Sequence, residues 1–375
     1  MLLGILLAGL FLAFSNGAND NFKGVATLLG SRTTNYKTAL LWASITTFAG
    51  SLTAFFLAQK LMVNFSGKGL VPDQIVHLTS FSISVAMAAA LTVFLATRFG
   101  FPISTTHAIT GALVGAGAVA SAGAINFDKL VSTFFLPLII SPIIAIAGAS
   151  AVYPVLSYTR KKLGVSRESC ICIGNEIVMP APKGLAVGSS VAMIQSICSP
   201  QISIGTNASC EERYLGQVWG LSAKSIIDKS HFLSAGMVGF ARGLNDTPKI
   251  AAILLVGNLI NPLFSIALVA IIMCVGGLVY AKKIAETMSY QITEMNDGQG
   301  LSANLVTSFV VIGASQLGLP VSTTHVSCGS LFGIGAVTKK AHWGSIFKIV
   351  LAWLTTLPLA GALGFLAFTV LRGIL

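Results

Sequence analysis

Apolar residues in this chain come in long blocks. Thr38 to Gln59 and Ile75 to Thr97 hold no charged residue. Each block is close to the roughly 20 residues that cross a bilayer core as a helix. Ten such segments are predicted: 2–29, 38–59, 75–97, 102–125 and 130–157, then 230–257, 261–281, 301–317, 320–338 and 349–371. A polar stretch, 158–229, divides them into two groups of five. The expected fold is an all-α polytopic membrane protein. Its expected domains are a first transmembrane half at 1–157, a cytoplasmic polar loop at 158–229 and a second transmembrane half at 230–375. The opening run MLLGILLAGLFLAFSNG has no basic region ahead of it and no small-x-small cleavage pattern, so it reads as a retained segment rather than a signal peptide.

The halves repeat each other. FSNGANDNFKGVATLLG (Phe14 to Gly30) aligns with FARGLNDTPKIAAILLV (Phe240 to Val256) at eight of seventeen positions. TRFGFPISTTHAITGALVGAG (Thr97 to Gly117) aligns with SQLGLPVSTTHVSCGSLFGIG (Ser315 to Gly335) at ten of twenty-one. The offsets, 226 and 218 residues, keep order and spacing. Five spans per repeat is an odd number, so the second copy is expected to enter the membrane from the opposite side. That is the inverted repeat of secondary transporters, whose sites lie at the midplane beside broken helices. Breaks are expected at both G-x-N-D-x-x-K motifs, with glycine letting the helix unwind and freeing backbone groups for a ligand.

Polar chemistry sits inside these apolar segments. A charged side chain at a lipid-exposed helix centre costs about 2.5–3.5 kcal/mol on insertion scales. Asp20 and Asp246 are candidates to bind a coupling cation or a proton, with Asn19 and Asn245 beside them as donors and acceptors. Lys23 and Lys249 follow three residues later, on the same helix face if helix resumes. The bland alternative is that each Asp–Lys pair only neutralises itself. In P-x-S-T-T-H, proline and hydroxyls suit a helix start, and a helix start attracts anions. Ser104, Thr105 and Thr106, with Ser322, Thr323 and Thr324, are therefore candidate donors to a tetrahedral oxyanion, or else plain caps. His107 and His325 are candidate proton-relay residues; a neutral imidazole bonded to a backbone carbonyl is the competing reading. Arg242 aligns with Asn16, so the interrupted segments carry Lys23, Arg242 and Lys249 against Asp20 and Asp246, a surplus of one positive charge that favours an anion.

Composition narrows the class. Of the 375 residues, 54% are hydrophobic and 9% charged, far from the roughly 25% charged of soluble domains. The net charge of +11 reports orientation: with the N-terminus outside, sixteen basic residues face inward and four outward. Both termini are then outside, in the plasma (inner) membrane. No basic run interleaved with aromatics suggests nucleic acid. Cys274 and Cys328 lie in apolar segments and read as packing residues. Cys170, Cys172, Cys198 and Cys210 share the polar loop, as a non-standard candidate metal set or as reduced thiols.

GANDNFKG, GLNDTPKI, PISTTH and PVSTTH, with the loop between the halves, resemble the PiT family of inorganic phosphate transporters. The resemblance covers nearly the whole chain outside the loop. It implies cation-coupled symport of phosphate, with sodium or a proton as coupling ion, no other cofactor, and elevator- or rocking-type alternating access. It implicates Asp20 and Asp246, with Asn19 and Asn245, in ion and substrate binding, and Ser104 to Thr106 and Ser322 to Thr324 in holding phosphate. A homodimer is a candidate assembly. The family pattern has asparagine where this chain has Lys23 and Lys249, which raises the hypothesis that ammonium groups stand in for sodium. The nearest rival is a carrier of sulfate or another tetrahedral oxyanion, followed by an anion channel. An enzyme is not expected, because no H-E-x-x-H or G-x-S-x-G occurs.

Overall fold

The computed structural model describes residues 2–166, 168–175, 200–206, 219–255 and 261–373. The chain forms two compact units. One comprises Met1–Val155 with His231–Leu375, the other Leu156–Ser230.

The larger unit is helical. Its first half holds α1 (Leu2–Asp20), α2 (Ala26–Gly30), α3 (Tyr36–Leu57), α4 (Thr79–Arg98), α5 (Thr105–Ala120) and α6 (Leu136–Lys162). Its second half holds α7 (Ala223–Leu254), α8 (Pro262–Tyr280), α9 (Asp297–Leu317), α10 (Thr323–Thr338) and α11 (Trp343–Arg372). Among the described residues, seven helices are long and apolar enough to cross a membrane. The chain is an integral membrane protein. Three of the ten expected spans fall outside that set for physical reasons. Helices α5 and α10 have only 16 residues each, about 24 Å against a core of about 30 Å. Helix α7 is long, with 32 residues, but carries several charges.

Local sequence explains the starts of these helices. Asn35, Asn261 and Asn296 accept backbone N–H bonds at the heads of α3, α8 and α9, and Gln299 completes a capping box at the last. Ser104 and Ser322 do the same for His107 N and His325 N, each at 3.1 Å.

Only one of the two expected breaks exists. After Asp20 the chain tightens into a 3-10 turn, Asn21–Gly24, before α2. Gly24 lies against α7, where a Cβ would come within 2.9 Å of the Gly239 nitrogen. The matching stretch of the second copy is unbroken helix through Pro248. Ile250, Ala251 and Ala252 stand there in place of Gly24, Val25 and Ala26, and without the glycine the helix carries on past the proline. The motif glycines do not unwind the helix either. Gly17 and Gly243 are helical, and a Cβ on them would overlap the carbonyl oxygens of Met273 and Thr47. Their role is close backbone approach, α1 onto α8 and α7 onto α3. Gly276 and Gly50 face Phe14 and Phe240 in the same way.

Helix α1 also packs on α4, while α11 covers α5 and α4 and α9 packs on α10. Two large apolar clusters flank the polar centre. One is built around Leu12, Phe65, Phe81 and Ile109, the other around Phe22, Ile284, Met288 and Leu331.

The smaller unit departs from the all-α expectation. It contains an antiparallel sheet of β1 (Ser169–Asn175), β2 (Pro200–Thr206) and β3 (Trp219–Ser222), in the order β2-β1-β3. The runs Cys-Ile-Cys-Ile and Gln-Ile-Ser-Ile alternate with period two, a strand signal masked by the overall polarity of the segment. Of the candidate metal cysteines, Cys198 and Cys210 lie outside the described residues. Cys170 is a buried free thiol, and among the described residues no group of three or more His, Cys, Asp or Glu can hold a metal. Cys274 and Cys328 are free thiols.

Candidate functional site

The break after Asp20, the unbroken middle of α7 and the starts of α5 and α10 meet in one buried polar cluster. Asn19, Asp20, Lys23, Arg242, Asn245, Asp246 and Lys249 are all at most 4% exposed. Buried charges persist only when paired and hydrogen-bonded, and here every charge has an opposite partner.

The first-half cluster is centred on Lys23. Four oxygens lie within hydrogen-bond reach of its Nζ: Asn19 Oδ1 (2.7 Å), the Ile103 carbonyl (2.9 Å), Thr324 Oγ1 (2.6 Å) and Asp20 Oδ1. Thr105 Oγ1 donates to the other oxygen of Asp20 at 3.1 Å. Asn19 Nδ2 holds Thr97 Oγ1 (2.8 Å) and the Phe101 carbonyl (3.1 Å), tying α1 to the loop ahead of α5.

The second half repeats the pattern. Lys249 Nζ donates to Thr106 Oγ1 (2.7 Å), to the Val321 carbonyl (2.8 Å) and to Asp246 Oδ1 (3.4 Å). Thr323 Oγ1 donates to Asp246 Oδ2 at 3.2 Å. Asn245 accepts from Ser315 Oγ at 3.2 Å and donates to the Val321 carbonyl at 3.1 Å. Ile103 and Val321 are matching repeat positions, as are Thr97 and Ser315. Each lysine reaches a threonine of the opposite half: Lys23 reaches Thr324, and Lys249 reaches Thr106.

The halves differ at Arg242 and Asn16. The guanidinium donates to Asn16 Oδ1 (2.6 Å), Asn21 Oδ1 (3.0 Å) and Thr47 Oγ1 (3.3 Å), and its Nε lies 3.8 Å from Asp246 Oδ2. Asn16 Nδ2 stands within reach of Asp20 Oδ2 (2.9 Å), Thr105 Oγ1 (3.0 Å) and Asp246 Oδ2 (3.4 Å). One amide therefore bridges the carboxylates of both halves. In the sequence Asn16 stands out only as the position aligned with Arg242. Its spacing of four from Asp20, on one helix face, was the available signal. The hydroxyls at Thr97 and Ser315 were legible too, as the first aligned pair of the second motif.

Ser104 and Ser322 are brought to the cluster's edge as helix caps. His107 and His325 meet across the halves with ring centroids 4.5 Å apart, and His325 stacks on Trp353 at 4.0 Å. His107 Nδ1 and His325 Nε2 have no hydrogen-bond partner. Chemically, the cluster combines a surplus of positive charge with threonine hydroxyls that donate to Asp20, Asp246 and the Ile103 and Val321 carbonyls, and it has no paired nucleophile and base.

Known proteins supply independent comparisons. The profile of the phosphate transporter family matches residues 16–364. A protein of Thermococcus kodakarensis named as a phosphate permease is 27% identical over 99% of this chain and 97% of its own. One of Rhizobium meliloti, named as a low-affinity inorganic phosphate transporter, is 27% identical over 98% of this chain and 96% of its own. A solved structure described as the sodium-dependent phosphate transporter has the same fold, with a TM-score of 0.75 at 22% identity, covering 100% of this chain and 99% of that one. The match spans the four helix segments that build the cluster, and the chain belongs to the phosphate transporter family.

Proposed function

We propose that this chain imports inorganic phosphate through the inner membrane by cation-coupled symport with alternating access, its two halves inverted and both termini outside. The observation that carries this reading is the duplicated, buried cluster in which each lysine bonds a threonine of the opposite half. A site closed by bonds between repeats suits a carrier that exposes it to one side at a time. Ser104 to Thr106 and Ser322 to Thr324 offer the anion hydroxyl donors. Asp20 and Asp246 set the charge balance with Lys23, Arg242 and Lys249.

That balance favours phosphate over sulfate. Three cations and two carboxylates leave a formal surplus of +1, which neutralises a monoanion. Phosphate has a monoanionic form near neutral pH and sulfate does not. The test is uptake of labelled phosphate into proteoliposomes, with arsenate or sulfate as competitor. Arsenate should compete and sulfate should not; stronger competition by sulfate would transfer the assignment to that anion. Asp20→Asn leaves the Lys23 ammonium without its buried counter-charge, a loss of about 3–5 kcal/mol for such pairs. It should abolish uptake.

A further inference from the structure

Each lysine ammonium occupies an oxygen cage. Around Lys23 Nζ stand a carboxylate oxygen of Asp20, the Asn19 amide oxygen, the Ile103 carbonyl and the Thr324 hydroxyl. An ammonium has three protons to donate, so four oxygens exceed what it can satisfy at once. Around Lys249 Nζ stand a carboxylate oxygen of Asp246, the Val321 carbonyl and the Thr106 hydroxyl. All-oxygen shells combining one carboxylate with neutral carbonyl and hydroxyl groups are what hard metal cations take. The cages correspond through the repeat, and each draws oxygens from both halves.

We propose that Lys23 and Lys249 are resident cations. Their ammonium groups fill the two positions that free sodium ions would take between the halves, so phosphate transport by this chain needs no sodium. The proposal rests on the phosphate-carrier reading above. A mobile cation couples transport to a gradient because it binds on one side and leaves on the other. A tethered ammonium supplies the same charge and the same bonds between the halves but cannot leave. Both carboxylates are already paired, Asp20 with Lys23 and Asp246 with Lys249 and Arg242, so neither remains to attract sodium.

Two measurements on the reconstituted full chain test this. Phosphate uptake by the unsubstituted protein is compared in sodium and in choline media at fixed pH, with an inward proton gradient. Equal uptake is expected, and collapse in choline would overturn the proposal. Absence of uptake in both media would instead sink the phosphate-carrier reading itself. In the second measurement, Lys23→Ala with Lys249→Ala vacates both cages. Sodium should then raise phosphate affinity about tenfold, a typical coupling between two ligands, in calorimetry on the purified variant. Lys249→Ala alone serves if the double variant does not fold, because Arg242 still accompanies Asp246. A folded variant whose phosphate binding ignores sodium would overturn the placement of the ammonium groups in cation positions.

Discussion

Asn16 is the smallest unit on which the site turns. Its amide donates toward both carboxylates while its oxygen accepts from Arg242. Asn16→Asp keeps the shape and removes the donor. It also cancels the formal surplus of +1, so phosphate affinity should fall by about 2 kcal/mol or more, the worth of a hydrogen bond to a charged group. Calorimetric titration with phosphate checks this; unchanged affinity would show that Asn16 stands outside the charge balance. Most of the cluster was legible as residue types, because a charged residue inside an apolar run has few innocent explanations. Asn16 was less legible: a neutral amide signals little until its partners are known. The histidines show the same limit, since two positions 218 apart in sequence gave no hint of rings 4.5 Å apart.

Elements are held at working distance by glycine. A Cβ at Gly17 would overlap the Met273 carbonyl, and one at Gly243 the Thr47 carbonyl. Gly17→Ala should therefore push α1 off α8, at about 1–3 kcal/mol for overpacking. Thermal unfolding in detergent should register a lowered midpoint, and an unchanged one would mean that the backbone contact is looser than the structure has it. The sequence alone favours a helix break at these two positions, but glycine in a polar motif within an apolar segment has two readings, flexibility and close approach. Only the neighbouring backbone separates them. The break itself came from the tight turn after Asp20 and the approach of Gly24 to Gly239. Pro248, the stronger breaker by propensity, left α7 continuous.

At the scale of the whole molecule, orientation is the open quantity that experiment can fix. The surplus of lysine and arginine on one side predicts Lys37 inside and Lys68 outside. With the six native cysteines replaced, Lys68→Cys should react with an impermeant maleimide in intact cells and Lys37→Cys should not. The reverse pattern would invert the topology and place both termini inside. The sheet in the smaller unit was missed because short alternating runs in a polar segment compete poorly with turn signals.

The sequence by itself determined the class of the protein, its two repeated halves and the chemical types at its centre. Apolar block length and the cost of buried charge are local properties that need no partner. Tertiary structure decided which oxygens surround each ammonium, that each lysine crosses to the opposite half, that one motif breaks and its twin does not, and that Asn16 joins the carboxylates. Those are relations between residues as far as 301 positions apart, set by backbone approach and by the need to pair every buried charge, and no run of neighbouring letters contains them.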